Sequence, residues 1–177
     1  RAMDDVIISA ATGTAFTGET GSGTETAQTA IAANVGSTTG LNIPKLAKAK
    51  ETFDKADVDP SIPRHLIVSP EQINNLLNVT EVTSSDFNTV KALVQGDIDT
   101  FLGFKFTVSN RLAKDGNDRT CIAFAQDGIT LGIGKDVNAR IDERADKSYA
   151  TQVYYCMSIG ATRMEQSKVI GITCTEA

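Results

Sequence analysis

From Tyr149 to Ile159 the chain alternates without a break. Tyr149, Thr151, Val153, Tyr155, Met157 and Ile159 occupy one set of positions, and Gln152, Tyr154, Cys156 and Ser158 the other. A period of two sends successive side chains to opposite faces of an extended backbone, so this stretch predicts one unusually long strand. Such a strand has to lie in a sheet or against a neighbour, because an isolated ribbon is marginal in water. Glu165, Gln166 and Ser167 read as a turn, and Val169, Ile170, Ile172 and Cys174 as a returning strand, which predicts a long C-terminal hairpin.

The front of the chain follows a different period. Met3, Val6, Ile7 and Ala10 fall at i, i+3, i+4 and i+7, an amphipathic helix already under way at Arg1, so a larger upstream segment is expected to precede it. Residues 12 to 40 are rich in Thr, Gly, Ser and Ala, the chemistry of a loop or weak strand. Asn42 and Pro44 open a second helix carrying Leu46, Ala49, Phe53 and Ala56 on one face, closed by Asp59-Pro60 and Pro63. The short β-like run His65-Leu66-Ile67-Val68 leads directly into Ser69-Pro70-Glu71-Gln72, a capping-box start for a helix ending near Leu77. A further helix is expected from Ser85-Asp86 through Phe87, Val90, Leu93 and Val94 to Gly96.

Beyond Gly96 strands are expected to dominate. Phe104, Phe106 and Val108 alternate with polar residues, residues 110 to 118 form a polar turn, and Cys121-Ile122-Ala123-Phe124-Ala125 suits a buried central strand. Gly128, Gly132 and Gly134 around Ile129 to Ile133 suggest a tight bend or an edge. Taken alone, these elements give an α+β chain.

A catalytic constellation is hard to assemble from these residues. His65 is the only histidine, sits in an apolar run and reads as structural; an enzyme using it in a cleft is the rival reading. No nucleophile elbow is present, and Gly132-Ile133-Gly134-Lys135-Asp136 fits neither a phosphate loop nor a dinucleotide fingerprint. Asp115, Asn117 and Asp118 lack the bidentate Glu of a Ca²⁺ loop, and Cys121, Cys156 and Cys174 are too scattered for a zinc site or a disulfide framework. They read as small buried hydrophobes in a reducing compartment. No catalytic, cofactor or metal residue is therefore expected.

Seventeen Lys and Arg against 22 Asp and Glu leave a net charge of −5, which argues against a dedicated nucleic-acid binder and allows a container that encloses DNA without reading it. Apolar runs stay well short of the roughly 20 residues that span a bilayer, and no signal-peptide pattern opens the chain, so no membrane role is expected. The informative charged segment is 140 to 147. If extended, Arg140, Asp142, Arg144 and Asp146 alternate in sign on one face, flanked by Glu143 and Lys147, and can meet a neighbouring copy or serve as a charged edge that blocks aggregation.

Four blocks carry a resemblance: Ala10-Ala11-Thr12-Gly13-Thr14-Ala15, Leu66 through Gln72, Phe101-Leu102-Gly103-Phe104-Lys105-Phe106, and Arg140 through Met164 with its end Gly160-Ala161-Thr162-Arg163-Met164. Together the chain resembles the C-terminal portion of tailed-phage major capsid proteins. The resemblance implies the Hong Kong-type capsid fold, with an axial mixed α/β domain and a peripheral domain of spine helix plus long β-hairpin. On it, residues 1 to 40 are the end of the spine helix and its connection, 41 to 133 the axial domain, and 134 to 177 the long peripheral strands. The N-terminal arm and extended loop of the family lack a counterpart here, so this portion is expected to fold yet close shells poorly. The implied role is a self-assembling shell subunit of the virion, made in the host bacterial cytoplasm and enclosing double-stranded DNA. Implied partners are other copies in hexamers and pentamers, with scaffold, portal and decoration proteins. Arg140, Asp142, Glu143, Arg144, Asp146 and Lys147 are the candidate inter-subunit contacts. Rival readings are an encapsulin-like compartment and a monomeric phage accessory or decoration protein.

Overall fold

Cys121, Ile122 and Ala123 are fully buried at the centre of a seven-stranded mixed sheet. The structure, a computed structural model, describes residues 2–16, 25–26, 29–36, 40–78 and 100–176. Across the sheet the order is β3 (Thr29–Ile31), β11 (Val169–Thr175), β8 (Asp118–Ala125), β4 (Arg64–Val68), β6 (Phe104–Val108) and β5 (Thr100–Phe101), with β7 (Lys114–Asp115) pairing to β8 off this path. β8 is antiparallel to both neighbours, with Ile122 opposite Gly171 on one side and Ile67 on the other. The pairs β4–β6 and β3–β11 are parallel.

Helix α2 (Ile43–Lys55) starts where the sequence predicts: the Asn42 side chain accepts from the Lys45 backbone N–H at 2.9 Å, and Pro44 sits in the first turn. Leu46, Ala49 and Phe53 are fully buried against the sheet. The helix stops before Asp59-Pro60 because Asp57 takes a left-handed φ of 52° and tucks Val58 into the core. Behind it, the Arg64 guanidinium donates to Asp54 at 2.9 Å and to the Val58 carbonyl at 3.2 Å while lying over the Phe53 ring.

Helix α3 (Pro70–Leu77) is capped by the Ser69 hydroxyl, which accepts from the Gln72 N–H. The expected reciprocal half of the capping box is replaced by a tertiary one. The Gln72 side chain accepts from the Leu41 N–H at 2.8 Å and donates towards Glu176, because it is fully buried and must satisfy its amide inside the protein.

Helix α1 (Ala2–Thr12) packs on a separate two-stranded antiparallel sheet, β9 (Ile129–Arg144) with β10 (Ala150–Arg163). A 3₁₀ turn, Ala145–Lys147, and two left-handed residues, Ser148 and Tyr149, join these strands. Two short strands, β1 (Ala15–Phe16) and β2 (Glu25–Thr26), pair with each other.

Three expectations are corrected. The long strand does not pair with the C-terminal one: β10 pairs with β9, and β11 inserts between β3 and β8. The burial of Val169, Ile170, Gly171 and Ile172 in succession explains this, since a strand apolar on both faces belongs inside a covered sheet. Tyr149 belongs to the turn rather than to β10, while of the bend or edge expected at Gly132 and Gly134 it is the edge that is found, both lying within the 16-residue β9, which pairs with β10 alone among the described residues. Part of the polar turn at 110 to 118 is strand β7, and Leu112 within it is buried. The helix expected from Ser85 to Gly96 lies outside the described residues.

Candidate assembly surface

The hairpin of β9 and β10 has two unlike faces. On one, Ile129, Leu131, Ile133, Ala139 and Ile141 stand opposite Arg163, Ala161, Ile159, Tyr155 and Val153. On the other, Asn138, Arg140 and Asp142 stand opposite Cys156, Tyr154 and Gln152, and with Lys135 they line an open polar groove. Register shifts at Ser158 place three residues of β9 against two of β10 and then two against one. The first shift swings Lys135 to the polar face, and the second returns Ile133 to the apolar one.

Cover on the apolar face is unequal along its length. Near the base, under α1, Arg163 is buried and Ala161, Ile159 and Met157 are half-buried. Towards the tip, Ile141 is 71% exposed, Val153 69% and Tyr155 62%. Burying apolar side chains of this size is worth roughly 1.5–3 kcal/mol each, and Ile141, Val153 and Tyr155 forgo that gain within this chain.

The charged candidates divide. Arg140, Asp142 and Arg144 share the polar face, opposite Tyr154, Gln152 and Ala150, and Glu143 lies on the apolar side opposite Thr151. The extended ladder expected through Asp146 ends at Arg144, because the chain turns there. Asp146 instead folds back to accept from Arg144 Nε at 2.9 Å, and this pairing holds its carboxyl below the usual carboxylate range. Lys147 closes the same turn, and all six residues are exposed. Sequence reasoning weighed this segment for its charges and missed that Val137, Ala139 and Ile141 alternate between them, which was the signal for a continuous apolar face.

His65 is half-buried and stacks on Phe124 with ring centroids 5.4 Å apart, while burial and the nearby Lys105 push its imidazole below the ordinary histidine range. Among the described residues, no group of three His, Cys, Asp or Glu is placed to hold a metal ion, and no helix is long and apolar enough to cross a membrane.

The fold recurs in solved structures. A chain of Mycobacterium phage Che8 superposes with a TM-score of 0.66 at 18% identity, covering 97% of this chain and 58% of that one. The capsid of Ralstonia phage GP4 gives 0.67 at 10% identity, covering 99% and 64%. The holo-SrpI encapsulin complex of Synechococcus elongatus PCC 7942 gives 0.54 at 8% identity, covering 84% and 53%. These share an α+β fold with this chain, which spans about three fifths of the length of the phage chains it matches. No curated protein matches in sequence. The family signature for phage capsid protein matches residues 1–176, and the chain belongs to that family.

Proposed function

We propose that this chain is part of a major capsid subunit that assembles with copies of itself into an icosahedral shell around a phage genome. The observation that carries the reading is the hairpin: two strands of 16 and 14 residues pair only with each other among the described residues and hold Ile141, Val153 and Tyr155 in water. A subunit that closes a shell needs several different patches whose rotations close, and a projecting two-faced ribbon supplies two of them. The seven-stranded sheet with α2 and α3 fits an axial domain, and α1 with the hairpin fits a peripheral domain, the last strand β11 returning to the axial unit. The turn between β6 and β8 at residues 110 to 118 is the candidate meeting point at a capsomer axis. A net charge of −5 suits a container that holds double-stranded DNA without gripping it. Scaffold, portal and decoration proteins are further partners of such a shell, which is built in the bacterial cytoplasm and becomes the virion capsid.

An encapsulin-like compartment is the second reading, favoured by the shared fold. Electron microscopy of the full-length protein decides. Closed icosahedral particles lacking a co-purifying cargo protein are expected. A protein that stays monomeric, as a decoration protein does, overturns the shell reading, and particles filled with a cargo protein replace the phage reading with the encapsulin one.

A further inference from the structure

Residues 110–118 run from β6 to β8 and include the two-residue β7, and little apolar packing holds them. Leu112 is buried, while 110, 111 and 113–117 are exposed. Polar ties hold the turn instead, and they meet at Arg119, the second residue of β8. Its Nη1 donates to the carbonyls of Asn110 at 3.2 Å and Leu112 at 3.5 Å, gripping the turn on both sides of Arg111. Its Nε donates to Glu176 Oε2 at 2.8 Å, and Lys114 Nζ lies 3.4 Å from the same oxygen.

The Glu176 carboxylate is itself held from the opposite side. Its other oxygen accepts from the hydroxyl of Ser69, which caps α3, at 2.6 Å and from Gln72 Nε2 at 3.5 Å. Ser69, Gln72 and Glu176 are all buried, so the carboxylate has a fixed orientation, and a guanidinium paired to it cannot swing away from the turn. The main chain adds a second clasp. The Glu176 N–H donates to the Asn117 carbonyl at 2.7 Å, and the Thr175 hydroxyl donates to Asp118 Oδ1 at 2.7 Å.

From this geometry we infer that Glu176 and Arg119 form a latch that holds the 110–118 turn closed, and that the turn opens as a unit when the latch is broken while the sheet stays intact. Residues 121 to 125 of β8 pair with β11, and residues 122 to 125 also with β4, so the centre of the sheet stands without the latch. Opening the turn exposes Leu112 and little other apolar surface, so it costs far less than unfolding the sheet. Arg111 also pairs with Asp5 of α1, so a closed turn presents this cation to the helix and an open one withdraws it. The latch lies within one chain and needs no shell. On the reading above, in which this turn meets its counterparts at a capsomer axis, the latch sets the shape that each copy presents there.

Hydrogen exchange of the unassembled full-length protein, measured over denaturant concentrations below the unfolding transition, tests the latch. The Thr120 amide, bonded to the Ala113 carbonyl at 3.3 Å, reports the turn, and the amides of Ile122 and Ile170 report the sheet. Turn exchange should show a denaturant slope that is a small fraction of the sheet's. Glu176→Gln should speed it about tenfold, and Arg119→Met should do the same. Because the carboxylate acts through the guanidinium, the double variant should exceed either single one by no more than about twofold. A turn slope equal to that of the sheet shows that no separate opening exists and overturns the inference. Unchanged turn exchange in Glu176→Gln, or additive effects in the double variant, overturns it as well. The slope comparison uses the unaltered chain and decides the matter if a variant fails to fold, and none of these readings depends on whether shells form.

Discussion

The guanidinium of Arg163 donates to the carbonyl oxygen of Ala11 at 3.1 Å, joining the last residue of β10 to the final turn of α1. Both residues are buried, and the cation sits at the negative end of the helix dipole. This bond fixes the angle at which the helix covers the base of the hairpin. Replacing Arg163 with Met keeps the apolar stem but removes the donor, and should cost about 1.5–3 kcal/mol. Denaturant unfolding checks it: a lower midpoint with an unchanged slope is expected.

Glu176 should make the fold acid-sensitive. It is 2% exposed, and burial alone would raise its carboxyl, but hydrogen bonds from Ser69 at 2.6 Å, Arg119 at 2.8 Å and Gln72 outweigh that and hold it below the ordinary range, with Lys114 also 3.4 Å away. A carboxyl depressed in the folded state stabilises fully above its unfolded value of about 4.3 and loses that contribution as pH falls through the folded value. Glu176→Gln should therefore be less stable at neutral pH and show a shallower loss of stability below about pH 4.3. Parallel acid titrations followed by circular dichroism measure the difference.

The hairpin face should be dispensable for folding and required for assembly. Ile141 and Val153 are cross-strand partners and largely exposed. Changing both to Asp should alter unfolding free energy by no more than about 0.5 kcal/mol each while abolishing particles of the full-length protein. Sedimentation separates the two effects.

Gly103 isolates a backbone effect. With Leu102 it forms the turn between β5 and β6 at φ of 85° and 52°, and an added Cβ would meet nothing within 4 Å. Gly103→Ala should cost about 1 kcal/mol through the left-handed conformation alone, read as a small drop in melting temperature.

Much of this fold is legible from local chemistry. Asn42 and Ser69 announce two helix starts through their caps, and the alternation in β10 gives a long strand, because these signals depend on neighbours along the chain. Strand pairing is non-local, and the partner of β10 was misassigned for that reason, although the unbroken apolar run Val169-Ile170-Gly171-Ile172 already indicated a strand covered on both faces. The buried Lys45 and Glu176 were invisible in sequence, since each looks like a solvated charge until the elements carrying its partners fold together. At the hairpin, the charges of 140–147 stand out in the sequence, and the exposed apolar face alternating with them emerges only once β9 and β10 are paired.

Hydrogen exchange on the full-length protein, compared between dissociated subunits and assembled particles, tests the role of the hairpin directly. The segment from Val137 to Tyr155 should exchange quickly in the subunit and become strongly protected in the particle. Equal exchange in the two states would show that no neighbour covers this ribbon and would contradict the assembly account.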